Sequence, residues 1–276
     1  MRVRSIAYGA ISIVNAIPLG IGATLGVGLN VVADVELSSG KGIKIDNKQN
    51  NQLIKEIIAR IIPKELLEKN CLKIELRSSI PSSYGLKSSS AVSNALSLAL
   101  TRLIKEEYDD FEVINYGIDA SLAAKVSITG AFDDASASYF GGFVVTDNYA
   151  RKIIRHERAD DLNVIILLPD NIKRSDPLRL RRLANLFEEP VRLAKEGRYW
   201  EAMILNGVLV ASILGIPYKP IKEAMEAGAM AASVSGNGPA IAVITHNDGI
   251  EGKLSKYGKI ITTRTNNNKA RVDVIE

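Results

Sequence analysis

At 276 residues, with 46% hydrophobic and 24% charged side chains, the chain has a globular composition sized for one large domain or two packed ones. Its net charge of +4 suits an anionic small molecule, and without an arginine-rich tail or interleaved aromatics no nucleic-acid partner is expected. Cys71 is the only cysteine, and His156 and His246 stand in no metal-ligand spacing, which excludes a disulfide framework and a thiol metal cluster. Arg2 to Val14 reads as a strand, followed by a bend rich in glycine (Gly20, Gly22, Gly26, Gly28) and a second strand over Asn30–Leu37. A Gly/Lys turn at Ser38–Gly42 predicts a hairpin into Ile43–Ile45. Helical spacing over Asn51–Ile62 stops at Pro63, and Leu72–Leu76 is strand-like. Helices are expected at about 91–106 and 112–126, and a strand at about 139–147. The polar stretch Asp147–Asp161 reads as a boundary, giving an N-terminal half over 1–150 and a C-terminal half over 151–276. The second half holds a buried-type strand at 164–168, helices near 176–196, 198–213 and 218–230, and a strand over Ala240–Thr245. Terminal strands near 259–265 and 270–275 flank an Asn-rich turn. Strands and helices mix without strict alternation, so the expected class is α+β. The apolar N-terminal stretch is broken by Tyr8, Ser12, Asn15 and Pro18, and no run of 18 apolar residues occurs. No membrane partner and a cytoplasmic location are therefore expected.

Three loops carry the chemistry. The first runs through Pro81, Ser82, Ser83, Tyr84, Gly85, Leu86, Lys87, Ser88, Ser89, Ser90 and Ala91, between a strand and a helix. A helix start leaves N–H groups without partners and places partial positive charge there. A glycine, three hydroxyls and a lysine beside it make a phosphate-binding loop. Serines also cap helices, so a plain polar connection is the competing explanation. Lys87 and Ser88 imitate the end of a Walker loop, but Pro81 and Leu86 stand where its pattern would need glycine, and the glycines at 20–28 do not fit G-x-G-x-x-G. The second loop, 129–135, holds the acidic pair Asp133 and Asp134, which in isolation fits simple turn formation. The third, 233–239, is S-V-S-G-N-G-P.

In this order the three loops resemble those of the GHMP small-molecule kinases, over nearly the full chain. G-L-K-S-S-S-A at 85–91, I-S-I-V-N-A-I at 11–17 and T-G-A-F-D-D-A at 129–135 are most similar to the archaeal-type shikimate kinases. The resemblance implies an N-terminal domain like ribosomal protein S5 and a ferredoxin-like C-terminal domain. It also implies transfer of the ATP γ-phosphoryl group to the 3-hydroxyl of shikimate, with Mg²⁺, in aromatic amino-acid biosynthesis. By that resemblance the 81–91 loop binds ATP, Ser89 approaches the metal, and Asp133 is the catalytic carboxylate with Asp134 in support, the two roles being exchangeable. Ser12, Asn15, Gly236 and Gly238 become candidates to bind the acceptor. Leu122 stands where several relatives supply a metal-binding Glu, and Asp119 is too far along the helix to replace it. The acceptor's carboxylate calls for an arginine, with Arg174, Arg179, Arg181, Arg182 and Arg264 available. Another GHMP kinase, acting on homoserine or mevalonate, and a catalytically silent metabolite-binding protein are the alternatives.

Overall fold

The computed structural model describes residues 1–46, 51–170 and 175–275. In chain order the first half contains β1 (Arg2–Val14), β2 (Ile21–Ser39), β3 (Gly42–Asp46), α1 (Asn51–Ile61), α2 (Lys64–Lys69) and β4 (Asn70–Ser78). It continues with α3 (Ser88–Ile104), α4 (Asp110–Ala123), α5 (Phe132–Phe140), β5 (Phe143–Asp147) and β6 (Lys152–Glu157). Then come β7 (Asn163–Pro169), a 3-10 helix (Pro177–Phe187), α6 (Glu188–Lys195), α7 (Tyr199–Leu214) and α8 (Lys219–Glu226). The chain closes with β8 (Ala231–Val234), β9 (Ile241–Thr245), α9 (Ile250–Leu254), β10 (Gly258–Arg264) and β11 (Arg271–Val274). The mixed α+β class is the one expected. None of the described helices is long and apolar enough to cross a membrane.

A seven-stranded sheet runs β11-β1-β2-β4-β3, with β5 and β6 added beside the N-terminal end of β2. The long strand β2 is its axis. Its stretch from Ala23 to Glu36 pairs with β1, while its other edge takes β5 over Ile21–Leu25 and β4 over Val31–Ser39. A four-stranded antiparallel sheet, β10-β7-β9-β8, is built entirely from the later part of the chain. The expected boundary near residue 150 falls inside the β5–β6 hairpin, and β11 returns from the C-terminal end to pair with β1.

Helix α3 is the keystone of the larger sheet. Apolar and small on nearly all sides, it has 12 of its 17 residues buried, between β1 and β2 on one side and α1, α4 and α5 on the others. Strand β7 is buried on both faces. Val164, Ile166 and Leu168 join the core shared with the large sheet, while Ile165 and Leu167 face Leu180, Phe187, Val210, Ile221 and Leu254. Alternation in one strand therefore feeds two cores.

Three expectations are corrected. The glycine-rich stretch at 22–28 is not a bend but the first half of β2. Its glycines serve close approach. A Cβ on Gly26 would lie 2.8 Å from the Asn266 carbonyl oxygen, and one on Gly28 would lie 2.9 Å from Thr263 Oγ1. The predicted hairpin does not form, because β4 inserts and pairs antiparallel with β2 and parallel with β3. The segment before Phe140 is helix, so β5 begins only at Phe143. The two terminal strands flank the Asn-rich turn as expected, β10 joining β7 and β11 joining β1.

Candidate active site

A cavity of about 500 Å³ opens where the three loops meet. Its wall includes Ser83, Gly85 to Ser90, Asp133, Asp134, Gly236, Asn237, Gly238, Ser12 and Asn15. Pro81, Ser82, Tyr84 and Ala91 complete the first loop without lining the cavity. Tyr84 gives its carbonyl to the Ala240 N–H at 3.1 Å, and Ala91 is buried inside the first turn of α3.

The phosphate-loop geometry follows from two residues in left-handed conformation. Gly85 has φ +83°, and a Cβ there would lie 2.1 Å from the Ser235 carbonyl oxygen, so only glycine lets the first and third loops touch. Lys87, at φ +61°, is the N-cap of α3 and makes no side-chain capping bond. The first intrahelical bond runs from Ala91 N to Lys87 O, so the N–H groups of Ser88, Ser89 and Ser90 lie ahead of the helical ladder beside the cavity. The Lys87 ammonium sits 2.8 Å from Asp134 Oδ1, with both side chains mostly buried.

Asp133 and Asp134 do not sit in a loop, as expected, but in the first turn of α5, where the helix dipole favours negative charge. Asp133 is 3% exposed and heavily anchored. Its Oδ1 accepts from Asn148 Nδ2 at 2.7 Å, and its Oδ2 accepts from Thr24 Oγ1 at 3.3 Å. Its backbone N–H donates to Asn148 Oδ1 at 3.0 Å, capping the helix from a distant part of the chain. Room for this carboxylate comes from Gly22, where a Cβ would fall 2.3 Å from Asp133 Oδ2. Gly22 and Thr24 share one face of β2, and Thr146 stands opposite Gly22 on β5, so the two-residue repeat aims this polar set at α5. Burial, and then the neighbouring Asp133 carboxylate, raise the Asp134 pKa to about 7, against the pull of Lys87.

Ser12 and Asn15 bind the third loop to the first. Ser12 Oγ accepts from Gly236 N at 3.0 Å, Ser12 N donates to Ser235 Oγ at 3.2 Å, and Ser235 Oγ donates to Gly85 O at 2.7 Å. Asn15 Nδ2 donates to Gly236 O and to Asn237 Oδ1, while its Oδ1 accepts from Ile17 N. Asn15 N in turn donates to Asn206 Oδ1 on α7 at 2.9 Å. The Ser12 hydroxyl remains on the cavity wall.

Among the described arginines, the exposed Arg181 touches the back of the cavity wall without lining it. Its Nε donates to the carbonyl of cavity-lining Ile17, and its Nη2 to Tyr149 Oη at 3.1 Å. Arg179 and Arg182 are exposed on the same 3-10 helix, Arg264 is held by Asp161 and Asn163, and Arg174 lies outside the described residues. Asp119 is paired with Arg151, and Leu122 is exposed on α4. Among the described residues, no group of three or more His, Cys, Asp or Glu could hold a metal ion. A cation here would take most of its ligands from phosphate and water, the habit of Mg²⁺, which suits the Ser89 hydroxyl and the Asp134 carboxylate. Gly22, Thr24, Thr146 and Asn148 were not singled out from the sequence as site residues. A glycine inside a strand was the one available sign, pointing to close approach.

Residues 52–142 match the family model "GHMP kinases N terminal domain". The shikimate kinase of Methanothermobacter thermautotrophicus is 36% identical, over 96% of this chain and 96% of that protein. That of Thermococcus kodakarensis is 35% identical, over 94% and 98%. In fold, the chain is similar to L. major mevalonate kinase (TM-score 0.74, 15% identity, 96% of each chain). It is also similar to homoserine kinase from Cytophaga hutchinsonii (TM-score 0.71, 18% identity, 99% and 97% covered).

Two outcomes are expected from this geometry. Gly22→Ala should displace the Asp133 carboxylate, destabilise the fold by about 1–3 kcal/mol and lower kcat by at least about tenfold. Wild-type kinetics with an unchanged melting temperature would contradict that placement. Folded Asp134 holds its proton up to about pH 7, whereas the unfolded chain releases it near the ordinary aspartate value of 3.8. The folded state therefore binds more protons in that window, and stability falls as pH rises through it. Denaturation curves from pH 4 to 8 should show this slope in the wild type and its loss in Asp134→Asn. Equal slopes would remove Asp134 as the cause.

Proposed function

The chain belongs to the GHMP kinase family, with archaeal shikimate kinases as its full-length relatives, and we propose that it phosphorylates the 3-hydroxyl of shikimate with ATP. The observation that supports this most is the convergence of the phosphate loop, the aspartate pair and the glycine loop on one cavity. ATP seats its phosphates at the start of α3, against the N–H groups of Ser88, Ser89 and Ser90, with Lys87 supplying full charge. Shikimate enters beside Asp133. Its 3-hydroxyl oxygen attacks the γ-phosphorus, the bond to the β–γ bridging oxygen breaks, and Asp133 takes the hydroxyl proton. ADP leaves with the bridging oxygen. Ser89 and Asp134 would hold Mg²⁺, which would supply neutralising charge at the phosphates. The Ser12 hydroxyl meets the acceptor, while Asn15, Gly236 and Gly238 shape its wall. Arg181 is the partner for the shikimate carboxylate, since its Nη1 carries no hydrogen bond to a described residue and its stem is fixed at Ile17. A cytoplasmic place of action accords with the need for ATP.

ADP release from Mg-ATP, with shikimate, homoserine and mevalonate offered in parallel, tests the reading. Turnover is expected with shikimate alone, and turnover only with another acceptor would sink the substrate assignment. Asp133→Asn should lower kcat by about 10²–10⁴-fold with ATP affinity retained. A near-wild-type rate would move the proton acceptor elsewhere. Arg181→Gln should raise the KM for shikimate by about 10–100-fold and leave that for ATP within about twofold, the loss of one charge-assisted contact. Equal changes in both constants would exclude carboxylate recognition.

A further inference from the structure

We propose that Asn148 is a positioning residue that fixes the hydrogen-bond polarity of two neighbours on the cavity wall, holding Asp133 as an acceptor and Thr129 as a donor. This rests on the proton-accepting role given to Asp133 above. Asn148 follows β5 and is 3% exposed. Every polar atom of its side chain is used. Its Nδ2 donates to Asp133 Oδ1 at 2.7 Å and to Thr129 Oγ1 at 3.2 Å. Its Oδ1 accepts from Asp133 N at 3.0 Å and from Thr146 Oγ1 at 2.7 Å. Its own backbone N–H donates to Gly20 O at 2.8 Å.

The orientation of this carboxamide is forced. Turning it over would set its oxygen against the Asp133 carboxylate and its N–H₂ against the Asp133 N–H, losing both bonds at once. So oriented, it presents a donor to Asp133 Oδ1 and an acceptor to the Asp133 backbone N–H, and so fixes where that carboxylate faces. The consequence for Thr129 is equally definite. Thr129 Oγ1 receives Asn148 Nδ2 and also Ala131 N at 3.3 Å, which occupies both of its lone pairs. Its remaining capacity is to donate, and no described residue is recorded taking that proton. Thr129 lines the cavity beside Asp133. A donor without acceptor capacity at that place fits an anionic oxygen of the transferring phosphoryl group. Thr129 thereby becomes a catalytic residue of this site, and Asn148 acts through it and through Asp133.

The test is a kinetic set of Asn148→Ala, Thr129→Val, Thr129→Ser and the Asn148→Ala/Thr129→Val double variant. Wild-type acceptor use is measured first, and the set is run with whichever acceptor the wild type turns over, so a wrong substrate assignment leaves the inference testable. Asn148→Ala should lower kcat by about 10–100-fold, with the KM for each substrate within about twofold. Thr129→Val should lower kcat by about tenfold, and Thr129→Ser should restore it. The double variant should lose no more than Asn148→Ala alone, because Thr129 is already released in that variant. Four results would overturn the proposal: retained kcat in Asn148→Ala, a loss confined to KM, failure of serine to rescue Thr129, or losses that multiply. The Thr129 pair reports even if Asn148→Ala does not fold.

Discussion

A carboxylate lodged against a strand glycine is the contact on which this site depends. Asp133 sits in the first turn of α5 at a distance from β2 that admits no side chain at Gly22. A burial this deep is costly for a charge unless its oxygens are hydrogen-bonded. Thr24 and Asn148 supply those bonds, and both are carried by the sheet or its edge. Proximity of helix and strand is thus the condition for the anchoring, and the anchoring makes the proximity tolerable. The rest of α5 follows from where its first turn is pinned.

The second organising contact joins the two ends of the chain's chemistry. Gly85 and Ser235 lie 150 residues apart, yet the serine hydroxyl donates to the glycine carbonyl, and the glycine's left-handed backbone brings the loops together. Ser12 on β1 holds the same serine from the other side. The large sheet and the small one therefore share a hydrogen-bonded seam at the cavity, independent of any bound molecule. Helix α7 reinforces it through Asn206, which receives Asn15 N and donates to Ser233 Oγ.

Much of this was legible because it is local. The loop around Lys87 declares itself by glycine, charge and hydroxyls ahead of a helix, and the aspartate pair by its place in an ordered set of motifs. The burial of β7 likewise follows from its unbroken apolar run at 164–168. What escaped was pairing. Nothing near Ile43–Ile45 says that β4 will insert itself beside β2, since strand partners are chosen by the whole sheet. The glycines of β2 look like a bend until the partners that crowd them, Asp133, Asn266 and Thr263, are in place. Asn148 escaped for the same reason. Its importance lies in three bonds to Asp133 and Thr129, outside its own strand end, and no spacing rule encodes them.

Lys87 is already matched with the Asp134 carboxyl group, an anion above about pH 7, before any nucleotide is considered. The loop is therefore not a bare positive site waiting for charge. Nucleotide capture becomes an exchange of counter-ions, in which phosphate takes over the ammonium and Asp134 is released toward a cation. The free energy of that exchange is the difference between two ion pairs, smaller than either taken alone. Such a site trades raw affinity for reversibility, which suits a pocket that must let go of ADP after every turnover.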